Sequence, residues 1–103
     1  MSGYVLAPLA RADIFSIWSH IAEDSEASAN LVVQAVFDSF AFLAEGSLRG
    51  HARPDLTSRP LRFWTLPSYS NYTVVYRPMT DPLSVIAVLH GKRNIRRVLK
   101  LRT

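Results

Sequence analysis

Cysteine is absent from this 103-residue chain, which excludes disulfides and thiol chemistry and makes a reducing cytoplasm its expected home. Glycine is sparse, at four residues, and neither a phosphate-cradling glycine-rich loop nor a nucleophile-elbow sequence occurs. No stretch approaches the roughly 18 consecutive apolar residues of a membrane span. The most apolar long segment, Ala27 to Ala44, is interrupted by Asn30, Gln34 and Asp38, so no membrane is expected as a partner. The opening MSGYVLAPLAR lacks a basic start followed by an apolar stretch, and no secretory signal is expected. His20, His51 and His90 lie far apart, without metal-ligand spacing, so neither a metal nor a cofactor is expected.

Apolar residues make up 49% and charged residues 19%, the balance of an ordinary globular protein rather than a disordered one. At this length one modest core is possible, and residues 1–103 read as a single domain. Charge is unevenly shared. Residues 1–45 carry one basic residue against six acidic ones, a net −5; residues 46–103 carry eleven against two, a net +9. Such a division suggests a surface that meets something anionic.

Tyr4-Val5-Leu6 predicts a short first strand, and Pro8 suits the first turn of a helix. Ala10, Ile14, Ile17, Trp18 and Ile21 then make an amphipathic stripe. Asp24-Ser25 offers an N-cap for a second helix, striped by Ala29, Val33, Val36, Phe40 and Leu43 and stopped at Gly46. So short a connection predicts an antiparallel helix hairpin. Gly46 to Pro60 has no periodicity and reads as loop. Strands are predicted at Leu61 to Leu66, Tyr72 to Arg77 and Ser84 to Leu89, joined as hairpins. A short basic helix follows from Asn94. The expected fold is α+β, in the order β-α-α-β-β-β-α, with the helix hairpin on one face of a small, mainly antiparallel sheet. The other face, fed by the basic half, becomes the candidate functional surface. The uninterrupted apolar run Val85 to Leu89 marks a central or near-central strand.

Several local motifs in this order resemble the RelE/ParE family of type II toxin–antitoxin toxins. In the first helix they are Ala10, Asp13, Ile14 and Ile17, ending in Ile21-Ala22-Glu23-Asp24. The loop supplies Gly50-His51 with Arg53, Asp55 and Leu56. Leu61-Arg62, Leu66-Pro67, Tyr72-x-Val74-x-Tyr76-Arg77 and Val88-Leu89-His90-Gly91 complete the series. The resemblance implies a cognate antitoxin as partner, with operator DNA contacted only through it. It also implies one of two targets, the ribosome with its mRNA or DNA gyrase. Cleaving members use an arginine on a middle strand, an arginine after a Gly-Lys turn and often a tyrosine near the C-terminus. Here Thr73 and Leu99 stand at the first and third positions, and Arg93 matches the second. Threonine and leucine serve poorly to accept a proton or stabilise charge at phosphorus. The Leu89-His90-Gly91 ending also resembles the ParE side. The expectation is therefore a ParE-like toxin, with an mRNA endonuclease as the alternative and a degenerate, repressor-only member as a third reading.

Six of the last twelve residues are Lys or Arg. The candidate target-binding set is Arg62, Arg77, Lys92, Arg93, Arg96 and Arg97; Arg62, Arg77 and Arg93 would serve a ribonuclease. The competing reading of the tail is a solvated helix with a basic C-terminal end. For Arg62 or Arg77 it is a salt bridge to Asp13 or Asp55. His90 is expected to be a hydrogen-bonding structural residue and Trp18 a core residue; Trp64 suits either core or an exposed platform.

Overall fold

The computed structural model describes residues 3–91 and 94–102. Its elements are β1 (Tyr4–Leu6), α1 (Pro8–Ala22), α2 (Glu26–Glu45), β2 (Arg62–Thr65), β3 (Tyr72–Arg77), β4 (Leu83–His90) and α3 (Ile95–Arg102). The order matches the expected one. β2 is a residue shorter at each end than its sequence signal, and β4 a residue longer.

Local chemistry separates the two long helices. Pro8 opens α1, and the Ser25 hydroxyl caps α2 by accepting from the Ser28 amide at 3.1 Å. Across the hairpin, the Trp18 indole donates to Asn30 Oδ1 at 2.8 Å, so Trp18 is a half-buried pin rather than a core residue. The buried stripe of α2 runs through Ala29, Val32, Val36, Ser39, Phe40 and Leu43. Val32 is the more buried of the pair, while Val33, expected on the stripe, packs half-buried against the first core. By length and composition α2 is apolar enough to cross a bilayer. Its Val36, Phe40 and Leu43 pack into the first core against the sheet.

The sheet has strand order β1-β4-β3-β2, parallel between β1 and β4 and antiparallel elsewhere. β4 is internal, as its continuous apolar run requires. Its register with β3 shifts where Val75 pairs with Ala87 but Tyr76 pairs with Val85, leaving Ile86 as the extra residue of a bulge. The bulge resets the alternation of side chains. Leu83, Val85 and Val88 all face the helix hairpin, whereas Ile86, Ala87 and Leu89 face the opposite way.

That opposite side corrects the expectation of an open basic face. Leu61, Phe63, Val75, Ile86 and Leu89 form a second core there, and α3 covers it with Leu99, flanked by Ile95 and Val98. Leu99 is 1% exposed. The sheet is therefore sandwiched between two helical layers, and the basic residues of α3 sit on its outer side. Replacing Leu89 or Leu99 by Ala should each cost about 2–4 kcal/mol in urea unfolding, the usual range for truncating a packed leucine. A near-zero effect at Leu99 would mean that α3 does not close this core.

Candidate partner-binding surface

The terminal helix is fixed at both ends, and the inner anchor begins on α1. β1 pairs with β4 only as far as Leu6 opposite Val85, because the chain then turns into α1. Beyond that point the edge of β4 has no strand neighbour. Asp13, buried on α1, fills the gap: its Oδ2 accepts from the Val88 amide at 3.0 Å. Arg102 meets the same carboxylate as a fork, Nη1 to Oδ2 at 2.5 Å and Nη2 to Oδ1 at 2.8 Å. Their side chains are 6% and 11% exposed. The hydrogen bond it donates to Asp13 holds the Arg102 guanidinium above its ordinary pKa, with burial opposing. Neither Arg62 nor Arg77 is the partner of Asp13, and Arg102 is removed from the solvent-facing tail.

At its other end, the Arg96 side chain donates to the backbone carbonyl of Asp55. The Asn94 side chain caps the helix, accepting from the Arg97 amide at 3.1 Å. Asp55 is paired with Arg53 through two hydrogen bonds of 2.9 and 2.8 Å, the main reason its carboxyl lies below the usual range. A cleft of about 560 Å3 opens here, lined by Arg53, Leu56, Thr73, Gly91, Asn94, Ile95 and Arg96. Arg97, Lys100 and Leu101 project outward beside it, Leu101 with 79% exposure.

The nominated arginines do not converge. Arg62 pairs with Tyr76, and Arg77 with Ser84, which puts both at one end of the sheet. Thr73 and Gly91 belong to the other end. The four-residue offset from Thr73 to Arg77 corresponds to about 14 Å of strand. Arg62 is also committed to the fold, donating to the Leu48 and Gly50 carbonyls at 3.2 and 2.7 Å. It staples the long loop together with Tyr76, whose hydroxyl donates to Ser47 O at 2.7 Å and accepts from the Gly50 amide at 2.8 Å. A Cβ on Gly50 would stand 2.6 Å from that hydroxyl and 2.9 Å from Phe63 O, so the close approach requires glycine. Arg77 makes no side-chain hydrogen bond or ion pair among the described residues. Lys92 and Arg93 lie outside the described residues.

The chemistry of the cleft follows from this lining. Guanidinium groups offer donors and positive charge to an anion. Attack by a ribose hydroxyl needs a proton acceptor, and none of the described side chains lining the cleft titrates near neutral pH. His90 lies elsewhere, edge-to-face with Tyr72 at 5.4 Å and 84°, in a separate cavity bordered by Asp13 and His20. Among the described residues no group of His, Asp and Glu is placed to hold a metal. Asp13 escaped the sequence reading as a tether, although a charge inside the Ala10-Ile14-Ile17 stripe was the available signal.

The family model for the ParE toxin of type II toxin–antitoxin system, parDE, matches residues 4–95. The fold is similar to a solved chain described as the chromosomal ParDE TA system from P. aeruginosa, with a TM-score of 0.73. Identity is 18%, over 89% of this chain and 98% of that one, a likeness of fold. No curated protein matches the sequence.

Two substitutions separate the buried anchor from the exposed pair. Asp13→Ala should destabilise the protein by about 3–5 kcal/mol in urea unfolding, since it strands a buried guanidinium and a backbone N–H. Arg53→Ala, at an exposed pair, should leave the midpoint nearly unchanged. Burial also raises the Tyr76 pKa above the ordinary tyrosine value. The stability linked to the neutral phenol is present below that value and falls as pH rises through the folded-state pKa. Compared with the unsubstituted chain, Tyr76→Phe should show a flatter alkaline limb in thermal unfolding.

Proposed function

The chain belongs to the ParE toxin family of type II toxin–antitoxin systems, and from that premise we propose that it inhibits DNA gyrase by protein contact and is neutralised by a cognate antitoxin. The carrying observation is the outer side of α3, where Arg97 and Lys100 stand exposed beside an arginine-lined cleft that has no described proton acceptor. Such a surface draws an acidic partner by long-range attraction and orients it by contact. It supports binding rather than bond cleavage. Thr73 adds to this, since it lines the cleft at the position where cleaving relatives carry arginine. The same face suits an acidic, apolar antitoxin segment that folds as it binds, because Leu101 gives the basic patch an apolar anchor. Neutralisation then follows from competition for one surface. Operator DNA is contacted only through the antitoxin, and the toxin works in the cytoplasm where gyrase is found.

The test combines a double variant with two assays. Arg93→Ala plus Arg97→Ala should abolish growth arrest and inhibition of gyrase supercoiling while leaving the melting temperature nearly unchanged. In a reconstituted translation reaction the unsubstituted protein should make no codon-phased cuts in mRNA. Cuts that disappear on Arg93→Ala would overturn the proposal in favour of a ribosome-dependent endonuclease. A folded double variant that is still fully toxic would remove α3 from the mechanism.

A further inference from the structure

The opposite flank of the molecule has a different chemistry. Between the outer side of α2 and the turn after β2 lies a groove of about 650 Å3. Its walls are apolar and aromatic, with Phe42 and Trp64 ring centroids 5.2 Å apart at 41° and Tyr69 alongside. Leu31 and Phe42 stand at its rim with 62% and 42% exposure, adjoining apolar surface that faces solvent.

Three observations define what this groove takes. The one charged residue lining it is Asp38, whose Oδ1 accepts from Gln34 Nε2 at 2.9 Å, and Glu23, Asp24, Glu26 and Glu45 are exposed along the same hairpin. Next, the lining residue Phe42 already accepts a cation on its ring: Arg49 lies 4.0 Å above it and donates to the Phe42 carbonyl at 2.7 Å. Finally, the Trp64 indole Nε1 is buried without an acceptor, the sole side-chain nitrogen or oxygen in that state among the described residues.

We infer that the α2–β2 groove is a docking site for an apolar segment of a partner protein that carries a Lys or Arg beside its apolar residues. The apolar side chains cover Leu31, Phe42 and Trp64. The cation pairs with Asp38, the one charged residue of the lining. An acidic segment fits the α3 face and is repelled here. Partners of the two flanks are thus distinguished by charge, whatever target α3 engages.

An unbiased 12-residue display library, selected on the purified full-length chain, tests this directly. The selected peptides should combine bulky apolar residues with Lys or Arg. A synthetic copy of the best peptide should lose about tenfold in affinity with Asp38→Lys, the scale of a lost charge-assisted contact. It should lose several-fold with Trp64→Phe and keep full affinity with Arg97→Ala. Asp38 is exposed, so the first variant does not depend on the fold tolerating a change at Trp64. Selection of acidic peptides for this groove, affinity indifferent to Asp38→Lys, or no enrichment at all would overturn the inference. So would self-association in sedimentation that Asp38→Lys abolishes, which would make a second copy of the chain the occupant.

Discussion

A single buried carboxylate holds three parts of this molecule in register. Asp13 sits on a helix of one layer, completes the unpaired edge of the central strand through the Val88 amide, and receives the Arg102 fork from the helix of the other layer. Burying an ion pair is costly unless the remaining donors and acceptors are met. Here the backbone N–H takes up an acceptor that would otherwise go unused. Everything on the outer side of α3 inherits its position from this tie, because the helix could otherwise slide over the flat apolar patch beneath it. Arg96 on the Asp55 carbonyl defines the opposite end. The placement of the basic patch therefore follows from these two end contacts and from Leu99 packed between them.

The two flanks differ in charge. Acidic charge is concentrated on the helix hairpin and basic charge on the loops, sheet and final helix, so the formal net charge of +4 describes neither surface. Each flank has exposed large apolar side chains: Leu101 on α3 near Arg97 and Lys100, Leu31 and Phe42 on α2. A partner segment recognised by one is mismatched on the other, a simple physical source of orientation in an assembly.

Much of the architecture could be read from residue patterns because the relevant constraints are local. Pro8, Ser25 and the stripes of α1 and α2 mark helices by spacing, and the apolar run of β4 marks a strand buried on both sides. The second core was missed for a related reason. Period-two alternation in β3 shows two faces, but the bulge at Ile86 and the docking of α3 depend on contacts across the chain that no local window contains. The site was less legible still. A list of basic residues treats Arg62, Arg97 and Arg102 alike, yet one staples a loop, one faces solvent and one is a buried anchor. Only the register and the burial separate these roles.

The anchor joins residues 89 positions apart in the chain. Folding during synthesis proceeds from the N-terminal end at roughly 5–20 residues per second. The helix hairpin and the first core can form as the strands emerge, but the second core stays open until Leu99 and Arg102 have been made. A nascent chain therefore carries an uncovered apolar sheet face and no positioned basic surface. The sheet face beneath α3 is thus closed only after this helix has been made, which sets the order in which the two cores can form.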